Sequence, residues 1–198
     1  MKILHLISSP RGEASFSIKL GNAIVEKLVA ANPDSTVKTH NLLSTPFPHL
    51  EEAHLNSFFT PAENHTPEQN AAIKHSDDAI DELQEADTIV IGAPLYNFNI
   101  HSTLKAWIDH IARAGKTFSY SEAGPEGLVK GKKVYVAISS GGVYTEGPYK
   151  AYDFIEPYLR AVLGFLGMTD ITVYRVEGVN MPALKDTALE KAINSIEI

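Results

Sequence analysis

Three short segments of this chain carry the residue types that ligand binding needs, and each directly follows a run of apolar, β-prone residues. The first is Ser8-Ser9-Pro10-Arg11-Gly12-Glu13-Ala14-Ser15-Phe16-Ser17, whose last hydroxyls coincide with the start of a helical pattern. Seryl oxygens beside the unpaired N–H groups of a helix start, at the positive end of its dipole, make a cradle for a phosphate. Plain N-capping by Ser15 or Ser17 would use the same residues, and Arg11 reads as a solvated cation. The second segment is Ala93-Pro94-Leu95-Tyr96-Asn97-Phe98-Asn99, where two aromatics enclose an Asn on a backbone rich in free N–H groups. Backbone amides and a carboxamide suit the polar edge of a flat heteroaromatic ring, while Tyr96 and Phe98 cover apolar surface; a turn whose aromatics pad a core is the alternative. The third, Ser139-Ser140-Gly141-Gly142, lacks Cβ atoms at two positions and lets backbone approach a ligand closely. Its plainer reading is a tight strand-to-helix turn.

Several other chemistries are poorly supported. The first segment lacks the Gly-Lys-Ser/Thr ending of a Walker loop and the Gly-x-Gly-x-x-Gly of a dinucleotide fingerprint, so a monophosphate held largely without lysines fits better. The third lacks the Gly-x-Ser-x-Gly of a nucleophile elbow. No two of the eight histidines show the i, i+4 spacing of a zincin site; His49 and His54 stand in a long aperiodic segment beside acids, and no metal is expected. Asp109-His110 reads as an exposed helix face rather than a catalytic dyad. The absence of cysteine excludes disulfides, thiolate metal sites and a catalytic thiol, and it fits a reducing compartment.

The elements that must position these segments follow from hydrophobic periodicity. Buried strands are expected at 2–7, 88–92, 134–138 and 171–176, and a weaker one at 36–42. Ile18, Leu20, Ile24, Val25 and Leu28 mark a helix that Asn32-Pro33 ends. Thr66-Pro67-Glu68-Gln69 is a capping box opening a second helix to about residue 85. Leu104, Trp107, Ile108 and Ile111 share one face of a third, over 102–113. Helices are also expected over 148–167 and 183–196, whereas 43–65 shows no clear period and 115–131 reads as irregular. Strands alternating with helices argue for one α/β domain spanning 1–198, a doubly wound, three-layer fold on a five-stranded parallel sheet. In such sheets ligands bind outside the carboxyl ends of the strands, where all three segments fall.

Composition narrows the partners. With 198 residues, a net charge of −7 and no basic run, neither nucleic acid nor an anionic membrane is an expected partner. The stretch from Met1 to Ile7 is too short for a signal peptide or a membrane span, and no later run nears about 18 apolar residues. A cytoplasmic protein is expected.

With the loops read, the sequence resembles the FMN-dependent NADH azoreductase/NADH:quinone oxidoreductase family along essentially its whole length. The resemblance is most specific in Ala-Pro-Leu-Tyr-Asn-Phe-Asn-Ile (93–100), Ala-Arg-Ala-Gly-Lys-Thr-Phe (112–118), Gly-Pro-Glu-Gly-Leu (124–128) and Leu-Gly-Phe-Leu-Gly (163–167). It implies a flavodoxin-like fold with strand order 2-1-3-4-5 and one FMN per subunit. Ser9, Ser15, Phe16 and Ser17 would hold the phosphate and ribityl end. Leu95, Tyr96, Asn97 and Phe98, with Ser139, Ser140, Gly141 and Gly142, would surround the isoalloxazine ring. Ser140 departs from relatives that carry a larger basic residue there. The resemblance further implies a homodimer with active sites at the interface. Trp107, Ile108 and Ile111, and Tyr158, Leu159 and Phe165, offer apolar helix faces for it unless they pack on their own sheet.

The implied reaction is ping-pong, with NADH as donor and quinones or aromatic azo compounds as acceptors. FMN carries that chemistry, so no catalytic side chain is needed. Phe59, Phe118 and Tyr120, with Phe98, are candidate walls of an acceptor pocket. The rival reading is a flavodoxin-type electron carrier without reductase turnover, against which the long 43–65 segment and the apolar helix faces argue. A flavin- or quinone-sensing module without turnover is a further alternative.

Overall fold

A computed structural model describes residues 1–198. Five parallel strands form the central sheet in the order β2-β1-β3-β6-β7, with β1 at Lys2–Ile7, β2 at Thr36–Asn41, β3 at Thr88–Pro94, β6 at Lys133–Ser139 and β7 at Asp170–Val176. The expected order 2-1-3-4-5 is the same arrangement once a small antiparallel hairpin, β4 (Phe118–Ser121) and β5 (Gly124–Gly127), is counted between β3 and β6. Register aligns the carboxyl ends: Ile7 pairs with Asn41 and with Gly92, Pro94 with Ser139, and Ser139 with Val176. The three candidate segments therefore leave the sheet along one edge.

Alternation along the strands divides the core into two layers. Leu4, Leu6, Ile89 and Ile91 face α3 (Pro67–Glu85), α4 (Ser102–Ile111) and α5 (Ile155–Phe165). Ile3 and Val90 face α1 (Phe16–Ala31) and α6 (Ala188–Asn194). Strand β3 is buried throughout, as befits the middle of a parallel sheet, and polar β2 forms an exposed edge.

Four expectations change. The single helix over 148–167 is a 3₁₀ turn at Gly147–Tyr152 followed by α5. Pro157 explains the break: inside a continuous helix its ring would strike the carbonyl of Asp153, whereas in the first turn of α5 it is tolerated. The 43–65 segment contains α2 (Glu52–Phe59), whose start is fastened by the Glu51 N–H donating to His54 Nδ1 at 3.0 Å. Histidine here takes the place that Glu or Gln holds in the usual capping box, so the start carries no familiar signature. The 115–131 stretch holds the β4–β5 hairpin, and the last helix shortens to α6 after a run of turns.

Three histidines, His5, His54 and His110, are buried. His5 points from β1 at α1, where Gly21 makes room: a Cβ at position 21 would stand 2.8 Å from Nε2. That nitrogen has no hydrogen-bond partner, and burial lowers the His5 pKa to about 4. The unfolded chain, with an ordinary value near 6.5, takes up the proton first. This contribution to stability is therefore complete above about pH 6.5 and is lost as pH falls towards 4, by about 2 kcal/mol at pH 5. Urea unfolding at pH 7 and pH 5 should show His5→Val losing less stability than the parent by about that margin; equal losses would contradict it.

His110 is wholly buried, which corrects the exposed-face reading of Asp109-His110. Its Nε2 bonds the Pro48 carbonyl at 3.0 Å, its ring lies 5.2 Å from that of His54, and burial pulls its pKa down. Asp109 pairs instead with Lys105 one turn earlier, at 2.5 Å.

Candidate functional site

The first segment is built around α1. Ser8 Oγ donates to the Gly92 carbonyl at 2.6 Å, which fastens the segment to the end of β3. Ser9 Oγ accepts from the Arg11 N–H at 3.4 Å, and a 3₁₀ turn over Gly12–Ala14 delivers Ser15 as the N-cap of α1. Ser15 Oγ accepts from the Ile18 N–H at 3.4 Å and lies 3.1 Å from Ser17 Oγ. Capping is thus real, yet it leaves most of the first-turn N–H groups without an acidic side chain, since α1 opens Phe-Ser-Ile. Ser9, Ser15 and Ser17 are buried, so their hydroxyls are held in place rather than dispersed in solvent.

The second segment closes as a two-residue turn. Tyr96 and Asn99 exchange both backbone hydrogen bonds at 3.0 Å, and Asn97 (φ 48°) and Phe98 (φ 69°) between them both have positive φ. That is the pattern of a type I′ turn, which Asn accepts readily and Phe does not. Asn97 and Phe98 are the two non-glycine residues with positive φ in the chain, and such strain concentrates at ligand sites. The turn is tied to the neighbouring strand by the Leu95 N–H donating to the Ser139 carbonyl at 2.8 Å.

The third segment depends on a fourth that sequence reasoning missed. Backbone N–H groups of Gly178, Val179 and Asn180, beyond β7, donate to the carbonyls of Gly142, Ser140 and Gly141 at 3.0, 3.3 and 3.0 Å. Gly141 lets the Asn180 side chain lie close: a Cβ at 141 would stand 2.6 Å from Asn180 Nδ2 and would turn that exposed side chain aside. The missed segment follows the carboxyl end of a strand, so the same positional rule that found the others would have found it.

A cleft of about 140 Å³ joins all four, reached by Ser9, Arg11, Ser15 and Phe16 on one side and by Leu95, Tyr96, Ser139, Ser140, Gly141 and Asn180 on the other. Beyond Tyr96 it meets a larger cleft of about 600 Å³ bounded by Asn97, His101, Lys105 and Tyr158. Burial, with a smaller effect from the charge of Asp109, pushes the Tyr158 phenol up to about 12, which keeps it a neutral hydrogen-bond donor. No group of three or more His, Asp or Glu side chains is arranged to hold a metal ion.

The pocket aromatics lie elsewhere. Phe59, at the end of α2, is 80% exposed, and Tyr120, on the hairpin, is 72% exposed. Phe118 packs its ring 4.7 Å from that of Phe165. None of the three lines either cleft of this chain. Of the helix faces considered for dimerisation, Trp107, Ile108, Ile111 and Leu159 are buried in the chain's own core, while Phe165 stays exposed and Tyr158 half-buried.

A hydroxyl-lined helix start, a strained aromatic turn and a glycine-rich turn on one edge of a parallel sheet define a mononucleotide-binding protein of doubly wound architecture. The family model described as flavodoxin-like fold matches residues 1–197. An FMN-dependent NADH:quinone oxidoreductase of Mesorhizobium japonicum is 48% identical over 198 residues, covering 100% of this chain and 94% of the relative. One of Herminiimonas arsenicoxydans is 50% identical, covering 98% and 96%. Among solved structures, an azoreductase of Bacillus anthracis superposes with a TM-score of 0.89 at 31% identity, covering 98% of this chain and 97% of that one. An FMN-dependent NADH-azoreductase of the same species, solved with FMN, gives 0.86 at 27%, again covering 98% and 97%. The chain belongs to the flavodoxin-like family of FMN-dependent NADH:quinone oxidoreductases.

Proposed function

We propose that this protein is an FMN-dependent NADH oxidoreductase that reduces quinones by two electrons and cleaves aromatic azo compounds. The observation that carries the reading is the strained Asn97–Phe98 turn beside a buried seryl cradle on the same sheet edge. The residues fit FMN on their own chemistry. Ser9, Ser15 and Ser17, with Phe16 and the acid-free first turn of α1, suit a phosphate dianion. The N–H groups of Leu95 and Tyr96 are spent inside the chain, so in the 95–98 turn it is Asn97 and Phe98 that keep unspent backbone N–H groups for a flat ring, and Gly141 and Gly142 of the 139–142 segment add clearance.

FMN, when bound, supplies the acceptance and donation of an electron pair. The chain's part is to bind and orient. The turn's fixed donors stabilise negative charge at the ring edge without reorganising, and Asn97 sets ring orientation. NADH and the acceptor occupy the same space in turn, which makes the kinetics ping-pong, and the larger cleft past Tyr96 is where they enter. Exposed Phe59 and Tyr120, with Phe118, wall the acceptor pocket across the interface of a homodimer, a role consistent with their absence from both clefts of one chain. The protein acts in the cytoplasm; no helix is long and apolar enough to cross a membrane.

The purified protein should show flavin absorption bands that NADH bleaches anaerobically within seconds and that a quinone restores. Bands that NADH leaves untouched would replace this reading with that of an electron carrier. A colourless protein that takes up no FMN would refute the site.

A further inference from the structure

The backbone between Gly142 and α5 leaves the site as a strap, and both of its ends converge on one guanidinium. At its start, Glu177 accepts hydrogen bonds from the Tyr144 N–H at 2.7 Å, the Thr145 N–H at 3.2 Å and the Thr145 hydroxyl at 2.5 Å. At its end, Arg175 Nη2 donates to Asp153 Oδ2 at 2.5 Å and to Glu156 Oε2 at 2.6 Å. Arg175 Nη1 lies 3.7 Å from Glu177 Oε1, beyond hydrogen-bond distance, so charge attraction alone links the two ends there.

The cluster is largely but not fully shielded from water and is short of positive charge. The side chains of Arg175, Asp153 and Glu177 are only 11%, 13% and 13% exposed, and three carboxylates share the one guanidinium. Arg160 relieves Glu156 alone, through its other oxygen at 2.8 Å. Removing Arg175 would leave largely shielded carboxylates without compensation, a costly state that relaxes by letting the strap move outward into water. Within the strap, the 3₁₀ turn carries Tyr149 and Tyr152, both about half exposed. The Tyr152 ring sits 5.4 Å from that of Phe98, on the strained turn of the site. Orientation of this pair thus depends on a charge cluster at the carboxyl end of β7.

We propose that Arg175 is a positioning residue: by fastening both ends of the 143–153 strap it holds Tyr152 against Phe98 and sets the width of the opening through which flat acceptors reach the site. What passes that opening rests on the oxidoreductase reading; the fastening itself does not.

Trypsin cleavage after Lys150, which is exposed on the strap, reads the fastening directly. In FMN-loaded protein, Arg175→Met and Asp153→Asn should accelerate that cut by about fivefold or more with other cuts unchanged, since such cleavage follows the open population. Arg175→Lys should fall between. In steady-state assays the same variants should change KM for a bulky azo dye by about fivefold or more. The KM for benzoquinone and the rate of flavin bleaching by NADH should stay within about twofold. Unchanged cleavage at Lys150 in a folded variant overturns the proposal, as does an equal change in KM for both acceptors. Asp153→Asn, a nearly isosteric change, carries the test if Arg175→Met fails to fold. If NADH bleaches no flavin in the parent protein, the oxidoreductase reading falls, while the Lys150 cut still decides whether Arg175 fastens the strap.

Discussion

Alanine at Gly127 should destabilise the protein by about 3 kcal/mol or more, at the top of the range for overpacked sites. A Cβ there would stand 2.2 Å from Gly167 N, 2.4 Å from Leu166 C and 2.5 Å from Gly167 Cα. All three are backbone atoms, so no side chain can swing aside. The contact is fastened by the Val129 N–H donating to the Leu166 carbonyl at 2.9 Å. Gly167 is itself at φ +104°, and a Cβ built on it would stand 3.0 Å from Gly127 C and from the Val129 carbonyl oxygen, so the approach is tight from both sides. The consequence would reach the proposed acceptor pocket through the hairpin, because β4 carries Phe118 and Tyr120. Gly131→Ala provides the comparison: its φ is +73° but its Cβ would meet nothing within 4 Å, so only the backbone penalty of about 1–2 kcal/mol applies. Urea unfolding midpoints should place Gly127→Ala well below Gly131→Ala. The reverse order would show that the hairpin can lift off at little cost.

Replacing Ser17 by Ala should weaken FMN binding about tenfold or more, because hydrogen bonds to charged groups contribute roughly 1.5–3 kcal/mol. Ser17 is wholly buried and its Oγ is 3.1 Å from Ser15 Oγ, which faces the cleft. Its hydroxyl therefore acts on an anion directly or by fixing the direction of the Ser15 hydroxyl; both are lost in the variant. Titrating apoprotein with FMN and following flavin fluorescence gives the dissociation constant. An unchanged constant would remove Ser17 from the site. Ser15→Ala should lose affinity too, with about 1 kcal/mol of helix stability besides, since Ser15 also caps α1.

The segments of the candidate site are legible largely because their signals are local. Pro94 marks the end of β3 within a few residues, Ser15 announces the start of α1, and Gly141-Gly142 announces a close approach; each signal is confined to one short window. The two family-like glycine motifs, by contrast, were visible only as separate strings, and Gly127 against Gly167 shows that they are two halves of one backbone contact. The 178–180 segment was missed because Gly178-Val179-Asn180 has unremarkable composition and acts through its backbone N–H groups. The apolar spacing over 148–167 suggests one helix because it outweighs Pro157, whose effect depends on its position within the turn.

The five sheet strands, their alternation with helices and the parallel sheet were present in the linear pattern, whereas α2 and the β4–β5 hairpin were not. Periods of two and 3.6 residues, caps and turn formers act between neighbours, so one chain's letters suffice to show them. Burial of His5 and His110, removal of Trp107 and Leu159 from any outer face, and the convergence of the strap on Arg175 were not present there. Each arises where elements far apart in the chain meet, and an amphipathic residue has the same local context whether a partner covers it or water does.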